Sequence, residues 1–187
     1  MIELIKSKLE GIPPDSVILT IIPTEHYQEI NMFMVKHWLE INPGHRGTYI
    51  SLNRPFNNLV TTLQRKDVDT SRLFFVDCVT KREEEDIGNC IFIGTENSLT
   101  RLGIALSSLV AKEELSFVYL DSLNTLALYN GLDSAIKFTH FLITKLRNHS
   151  KNGIILGIHE HTNKKIINEL SQLCDVVIDL SDKTTFT

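Results

Sequence analysis

The sequence predicts an α/β protein of three layers (α/β/α), with helices on both faces of a mostly parallel central sheet. Three observations carry that prediction. Short apolar runs recur along the chain, as in Ser16-Val17-Ile18-Leu19-Thr20-Ile21-Ile22 and Gly153-Ile154-Ile155-Leu156-Gly157-Ile158-His159. The runs are nearly continuous rather than alternating, which is the pattern of strands covered on both faces. Between them lie longer segments whose apolar residues are spaced by three and four, the pattern of helices with one buried face. Strand and helix in alternation make repeated βαβ units, and right-handed crossovers distribute the helices over both sides of the sheet.

In chain order, Ile2 to Leu9 supplies an amphipathic helix that Gly11-Ile12-Pro13-Pro14-Asp15 breaks. The first strand, Val17–Ile22, leads through a loop over Pro23–Tyr27 into a helix from about Gln28 to Glu40. Its inward residues are Ile30, Phe33, Met34, His37 and Ile41, and Pro43-Gly44 ends it. Gly47 to Leu52 is the second strand. Pro55 suits the first turn of a helix whose inward residues are Leu59, Val60 and Leu63. Leu73 to Asp77 is the third strand and ends in an acid. A charged loop, Lys81 to Asp86, and a short strand, Cys90 to Ile93, precede a helix from about Ser98 to Lys112. Leu115 to Asp121 is another strand ending in an acid. A short helix, Asn124 to Asn130, and a long one, Leu132 to Asn148, come next. After the Gly153–His159 strand, Thr162 is the expected N-cap of a helix carrying Ile166, Ile167, Leu170 and Leu173, and Asp175 to Leu180 is the last strand. No internal repeat, low-complexity tract or linker interrupts the pattern, so residues 1–187 read as a single domain.

Composition narrows the function classes. The chain has 187 residues, 42% hydrophobic content and a net charge of −4, values of a globular domain with a full core. Its 19 basic residues are scattered, so no nucleic-acid surface is expected. Cys78, Cys90 and Cys174 form no C-x-x-C pair, which speaks against a zinc knuckle or a disulfide framework and for a reducing interior. The N-terminal MIELIKSKLEG is too short and charged for a signal peptide. No apolar run reaches the roughly 20 residues of a membrane span. A cytoplasmic location is the expectation.

Several segments, taken in order, resemble the RecA-like ATPases of the KaiC/RadA branch. LEGIPPDSVILTI is similar to the turn and strand that open that family's phosphate loop, and GTYISLNRPFNNLVTTL to its second strand and following helix. DVDTSRLFFVD, LSFVYLDSLNTL and NGIILGIHEH resemble respectively the third strand, the Walker B strand and the strand that senses the γ-phosphate. The resemblance runs from about Leu9 to Leu180. It implies a RecA-like P-loop NTPase fold, side-by-side packing against a like or related subunit, and an archaeal source. The family continues into a β-hairpin; with the sequence ending at Thr187, that hairpin is expected to be missing.

The chemistry the resemblance implies can be tested residue by residue. A working phosphate loop, G-x-x-x-x-G-K-[ST], needs glycines so that backbone N–H groups wrap the phosphates, a lysine for the β/γ charge and a hydroxyl for Mg²⁺. In the natural register the glycine positions fall on Ile22 and Tyr27, the lysine on Gln28 and the hydroxyl on Glu29. Tyr27 adds bulk, and Glu25 and Glu29 add negative charge. Two like unit charges ~4 Å apart repel by ~4 kcal/mol at an effective dielectric of about 20. The position of the family's water-activating glutamate reads Asn53-Arg54, which supplies no carboxylate base. Arg54 is either an anion contact or a solvated loop charge, the latter favoured. Asp121 and Ser122 match the Walker B end and read as a remnant, a strand-end acid beside a hydroxyl; Asp77 reads the same way.

The remaining candidates have blander readings. His159 and His161, on an extended segment, would point the same way toward a metal, but no third ligand accompanies them. Polar residues at a strand end are the favoured reading, and no metal is expected. Cys78 would need a base beside it to act as a nucleophile; a buried thiol is favoured. Trp38 reads as packing, and Glu83–Asp86 as a solvated acidic loop or a docking site for a basic partner. The expectation is therefore a non-catalytic RecA/KaiC-like protein, a pseudo-ATPase with no cofactor, serving signalling or scaffolding through a protein partner or homo-oligomer. The alternative is a nucleotide-binding switch or weak ATPase that takes ATP/Mg in an altered site, with Arg54, Lys36 or a neighbouring subunit's basic residue standing in for the lysine.

Overall fold

The computed structural model describes residues 2–81, 87–94 and 99–181. Among them, seven strands form one sheet in the order β4-β3-β2-β5-β6-β1-β7. The strands are β1 (Val17–Ile22), β2 (Arg46–Ser51), β3 (Leu73–Asp77), β4 (Cys90–Phe92), β5 (Leu115–Asp121), β6 (Asn152–Ile158) and β7 (Val176–Asp179). Every neighbouring pair is parallel. The connecting helices are α1 (Ile2–Leu9), α2 (Tyr27–Ile41), α3 (Phe56–Gln64), α4 (Leu99–Val110), α5 (Leu123–Asn130), α6 (Leu132–Asn148) and α7 (Lys164–Ser171). The expected Lys81–Asp86 loop beyond residue 81, the helical start at Ser98 and the polar tail beyond residue 181 lie outside the described residues.

Period-two alternation divides the core. On β1, Ile18 and Ile22 pack with α1, α2 and α3 residues such as Ile5, Met34 and Leu59. Val17, Leu19 and Ile21 point to the opposite face, with Leu106 of α4, Leu126 of α5, Leu142 of α6 and Ile166 of α7. Two cores separated by a sheet make the three-layer sandwich. One strand position is set by a glycine. Gly47 pairs with Phe117 across β2 and β5, and a Cβ on Gly47 would lie 2.1 Å from Phe117 Cζ. The ring lies where any other side chain would stand.

Two elements differ from the sequence expectation in a way that matters for the site. The buried residues of α2 are Ile30, Asn31, Met32, Met34, Val35, Trp38 and Leu39, whereas Phe33 and His37 are half-buried and Ile41 is 52% exposed. The helix is turned so that polar Asn31 faces inward; its amide finds partners there, described below. Burial lowers the His37 pKa, the Glu40 charge opposing and Lys6 adding to the effect. The second difference lies after β6. The strand ends at Ile158, and His159 to Thr162 forms a turn in which the His161 and Thr162 N–H groups both donate to the Ile158 carbonyl. The two histidines are not on an extended segment. Asn163, not Thr162, caps α7 by accepting from the Lys165 N–H at 2.8 Å.

Candidate functional site

The chain leaves β2 toward β3 on one side and leaves β5 toward β6 on the other, although β2 and β5 are neighbours. Their carboxyl ends therefore flank the switch point at which parallel α/β sheets open a crevice. Ser51 ends β2 and Asp121 ends β5, paired in register. Here the crevice is filled by the protein's own side chains.

Asp121 is 1% exposed and four side-chain donors converge on it. Its Oδ1 accepts from the Tyr27 hydroxyl and from Asn53 Nδ2 at 2.9 Å. Its Oδ2 accepts from the Tyr49 hydroxyl at 2.5 Å and from Asn31 Nδ2 at 2.9 Å. The donors come from different elements. Tyr27 opens α2, Asn31 lies one turn later on the same face, Tyr49 is on β2, and Asn53 follows β2. A second tier holds the donors. Asn53 Oδ1 accepts from the Thr125 hydroxyl, Asn53 Nδ2 lies 3.3 Å from Ser122 Oγ, and the Tyr119 hydroxyl donates to the Asn31 carbonyl at 3.3 Å. The Tyr49 and Tyr119 rings stack at 5.1 Å. The Asp121–Ser122 peptide is cis.

Both carboxylate oxygens are thus occupied by neutral donors, with no cation among them. Such an arrangement satisfies a buried acid. Burial first, and the Asp121 charge second, push the phenols of Tyr27, Tyr49 and Tyr119 above their ordinary value. They stay protonated and remain donors.

Of the positions expected for a phosphate loop, the structure brings only Tyr27 to Asp121, while Ser122 meets Asn53 and Thr125. Ile22 is fully buried in the core beside α2, and Gln28 and Glu29 are exposed on the first turn of α2. The β1–α2 connection is a short 3₁₀ turn, Thr24–His26, pinned by Glu160. That carboxylate accepts from the Thr24 hydroxyl at 2.7 Å and the Thr24 N–H at 3.1 Å. Asn31, Tyr49 and Thr125 escape sequence reasoning. Only the i, i+4 spacing of Tyr27 and Asn31 on a helix that is otherwise apolar at that face hints at them.

The other candidates are structural. Asp77 accepts from the N–H groups of Val79, Thr80 and Phe56 and from the Thr80 hydroxyl. It closes the turn after β3 and satisfies the first N–H of α3. Burial, and the Asp77 charge next to it, hold the Cys78 thiol far above the thiolate range, and burial pushes Cys174 up to about 12. Neither is an activated nucleophile. Trp38 is buried against Phe117. Among the described residues, no group of three or more His, Cys, Asp or Glu side chains could hold a metal ion, and no helix is long and apolar enough to cross a membrane.

Residues 44–180 match the model of a family described as "Family of unknown function (DUF7504)". The chain belongs to that family. The DUF7504 match takes in Tyr49, Asn53, Asp121 and Thr125 but leaves out Tyr27 and Asn31, so it covers one half of the cage around Asp121. No curated protein matches the sequence. Among solved structures, the KaiC-like protein PH0186 from the hyperthermophilic archaeon Pyrococcus horikoshii OT3 is similar, with a TM-score of 0.65 and 16% identity over 92% of this chain and 75% of that one. This DUF7504 member therefore has the RecA/KaiC-like α/β fold that its segments resemble.

Proposed function

We propose that this protein is a non-catalytic RecA/KaiC-like domain. It works as a regulatory or scaffolding subunit, through contacts with a protein partner or with a second copy, inside the cytoplasm. The observation that supports this reading is the occupancy of Asp121. In the ATPases it resembles, that acid serves Mg²⁺. Here its four acceptor directions go to Tyr27, Asn31, Tyr49 and Asn53, and the Tyr27 phenol stands between Asp121 and the start of α2. The residues present do not fit MgATP. The positions for the lysine and the hydroxyl carry Gln28 and Glu29, both turned to solvent, and no carboxylate occupies the place of the water-activating base, where Asn53 is tied into the cage.

The test is phosphate release from MgATP at high protein concentration. The reading predicts none above the buffer control. Turnover that Asp121→Ala abolishes would overturn it. The partner half of the proposal is checked by sedimentation and by affinity capture with the source extract. A strictly monomeric protein that retains no partner would contradict it.

A further inference from the structure

A polar groove of about 560 Å³ runs along the outer side of α3 and the β2–α3 connection. Arg54, Asn58, Thr61, Thr62 and Arg65 line it, and no Asp or Glu does. Asn58, Thr61, Thr62 and Arg65 share one side of α3 and its C-cap, and Arg54, just before the helix begins, extends that stripe. The nine residues of α3 rise about 13 Å, which puts a guanidinium near each end of the stripe. Among the described residues neither guanidinium has an ion pair or a hydrogen-bond partner. Two unpaired arginines in a groove without an acid are notable on a chain whose net charge is −4.

The donor inventory narrows the ligand. The Thr61 and Thr62 hydroxyls donate to the carbonyls of Asn57 and Asn58, one turn back, so their protons are committed. The Asn58 amide and the two guanidinia remain as side-chain donors. The Arg54 backbone is fixed, its N–H donating to Ser51 Oγ at 3.2 Å and its carbonyl accepting from the same hydroxyl at 2.6 Å. The first N–H of α3, that of Phe56, is already taken by the Asp77 carboxylate at 2.8 Å, so the ligand would depend on the side-chain donors and not on the helix terminus. Guanidinium forks match phosphate oxygens two at a time. One phosphate reaches one fork; using both ends calls for a chain of phosphates.

We propose that the groove between Arg54 and Arg65 binds a small molecule carrying two or more linked phosphate groups. The source is either an inorganic oligophosphate or the phosphate tail of a nucleotide, held from the side of α3 and not in the loop after β1. The proposal does not rest on the protein being inactive, since it concerns a different surface and requires neither magnesium nor hydrolysis.

The experiment is calorimetric titration of the full chain with sodium tripolyphosphate, and separately with ATP, both without magnesium and at matched ionic strength. The variants are Arg54→Ala, Arg65→Ala, the double variant and Arg65→Lys. Saturable tripolyphosphate binding is expected, weakened at least tenfold by either alanine and partly restored by the lysine. Equal affinity for ATP would assign the ligand to a nucleotide tail, and weaker ATP binding to an inorganic oligophosphate. Absence of saturable binding, or binding that the double variant leaves unchanged, would overturn the proposal. Neither guanidinium holds a hydrogen bond or an ion pair among the described residues, and Arg54 acts on the Tyr27 phenol only through its charge, so the melting temperature of the ligand-free double variant should stay close to that of the parent and confirm that the loss is local.

Discussion

Asp77 and Asp121 end neighbouring regions of the same sheet, and both are 1% exposed. They are satisfied in opposite ways. Asp77 takes three backbone N–H groups and one hydroxyl, two of those N–H donors lying within three residues of it. It acts as a turn and helix cap. Asp121 takes only side chains, from residues 68 to 94 positions away in the chain. The first acid organises its own loop. The second ties α2, β2 and β5 together at the point where such folds ordinarily receive a ligand. The difference teaches that two strand-end acids buried to the same extent can serve a local turn in one case and a long-range tie between elements in the other.

Breaking each acid should separate the two roles. Asp121→Asn is expected to cost the most, about 3 kcal/mol, because an amide N–H₂ would face two donors inside the cage. Urea denaturation measures it, and a loss below that of Asp77→Asn would reverse the comparison. Tyr49→Phe removes a single donor from the same carboxylate and should cost about 2 kcal/mol.

Alkaline unfolding sharpens the contrast. The folded phenols of Tyr27, Tyr49 and Tyr119 titrate above their ordinary value. The unfolded phenol releases its proton from about pH 10 upward while the folded one keeps it, so the unfolded state binds fewer protons there. Stability is therefore full below about pH 10 and falls as pH rises toward the folded values, by about 1.4 kcal/mol per pH unit for each such phenol. Tyr49→Phe should flatten the slope by one such contribution, and Asp77→Asn should leave it unchanged. The smallest effect is that of Asp77→Asn itself, about 1 kcal/mol: the amide oxygen still accepts from the Val79 and Thr80 N–H groups, the Thr80 hydroxyl can turn to accept from the amide, and only the Phe56 N–H loses its acceptor.

What the sequence made legible follows the same division between local and distant. Strands β1, β5 and β6 are announced by continuous apolar runs, and α6 spans Leu132–Asn148 as its periodicity predicts. Asp77 reads as a strand-end acid, and two of its N–H partners, Val79 and Thr80, lie within the three residues that follow it. The inward face of α2 is not legible in the sequence because Asn31, polar and in mid-helix, is buried only through partners on other elements. The turn that carries the histidines after β6 has no signal in the sequence, because the apolar run does not mark where the Ile158 carbonyl starts it. At the site, Tyr27 and Asp121 can each be singled out from the sequence, one as bulk in a phosphate loop and the other as a strand-end acid. Their contact spans 94 residues and has no local signature. Tyr49 and Thr125 enter through the same tertiary approach.

The central claim is that the Tyr27 phenol is one of the four donors that tie Asp121 into the fold. A double-mutant cycle on Tyr27→Phe and Asp121→Asn, read by urea denaturation with and without magnesium, tests it most directly. The account predicts a coupling energy of about 1–3 kcal/mol that magnesium does not change. A coupling near zero, or one that magnesium removes while stabilising the parent protein, would contradict it.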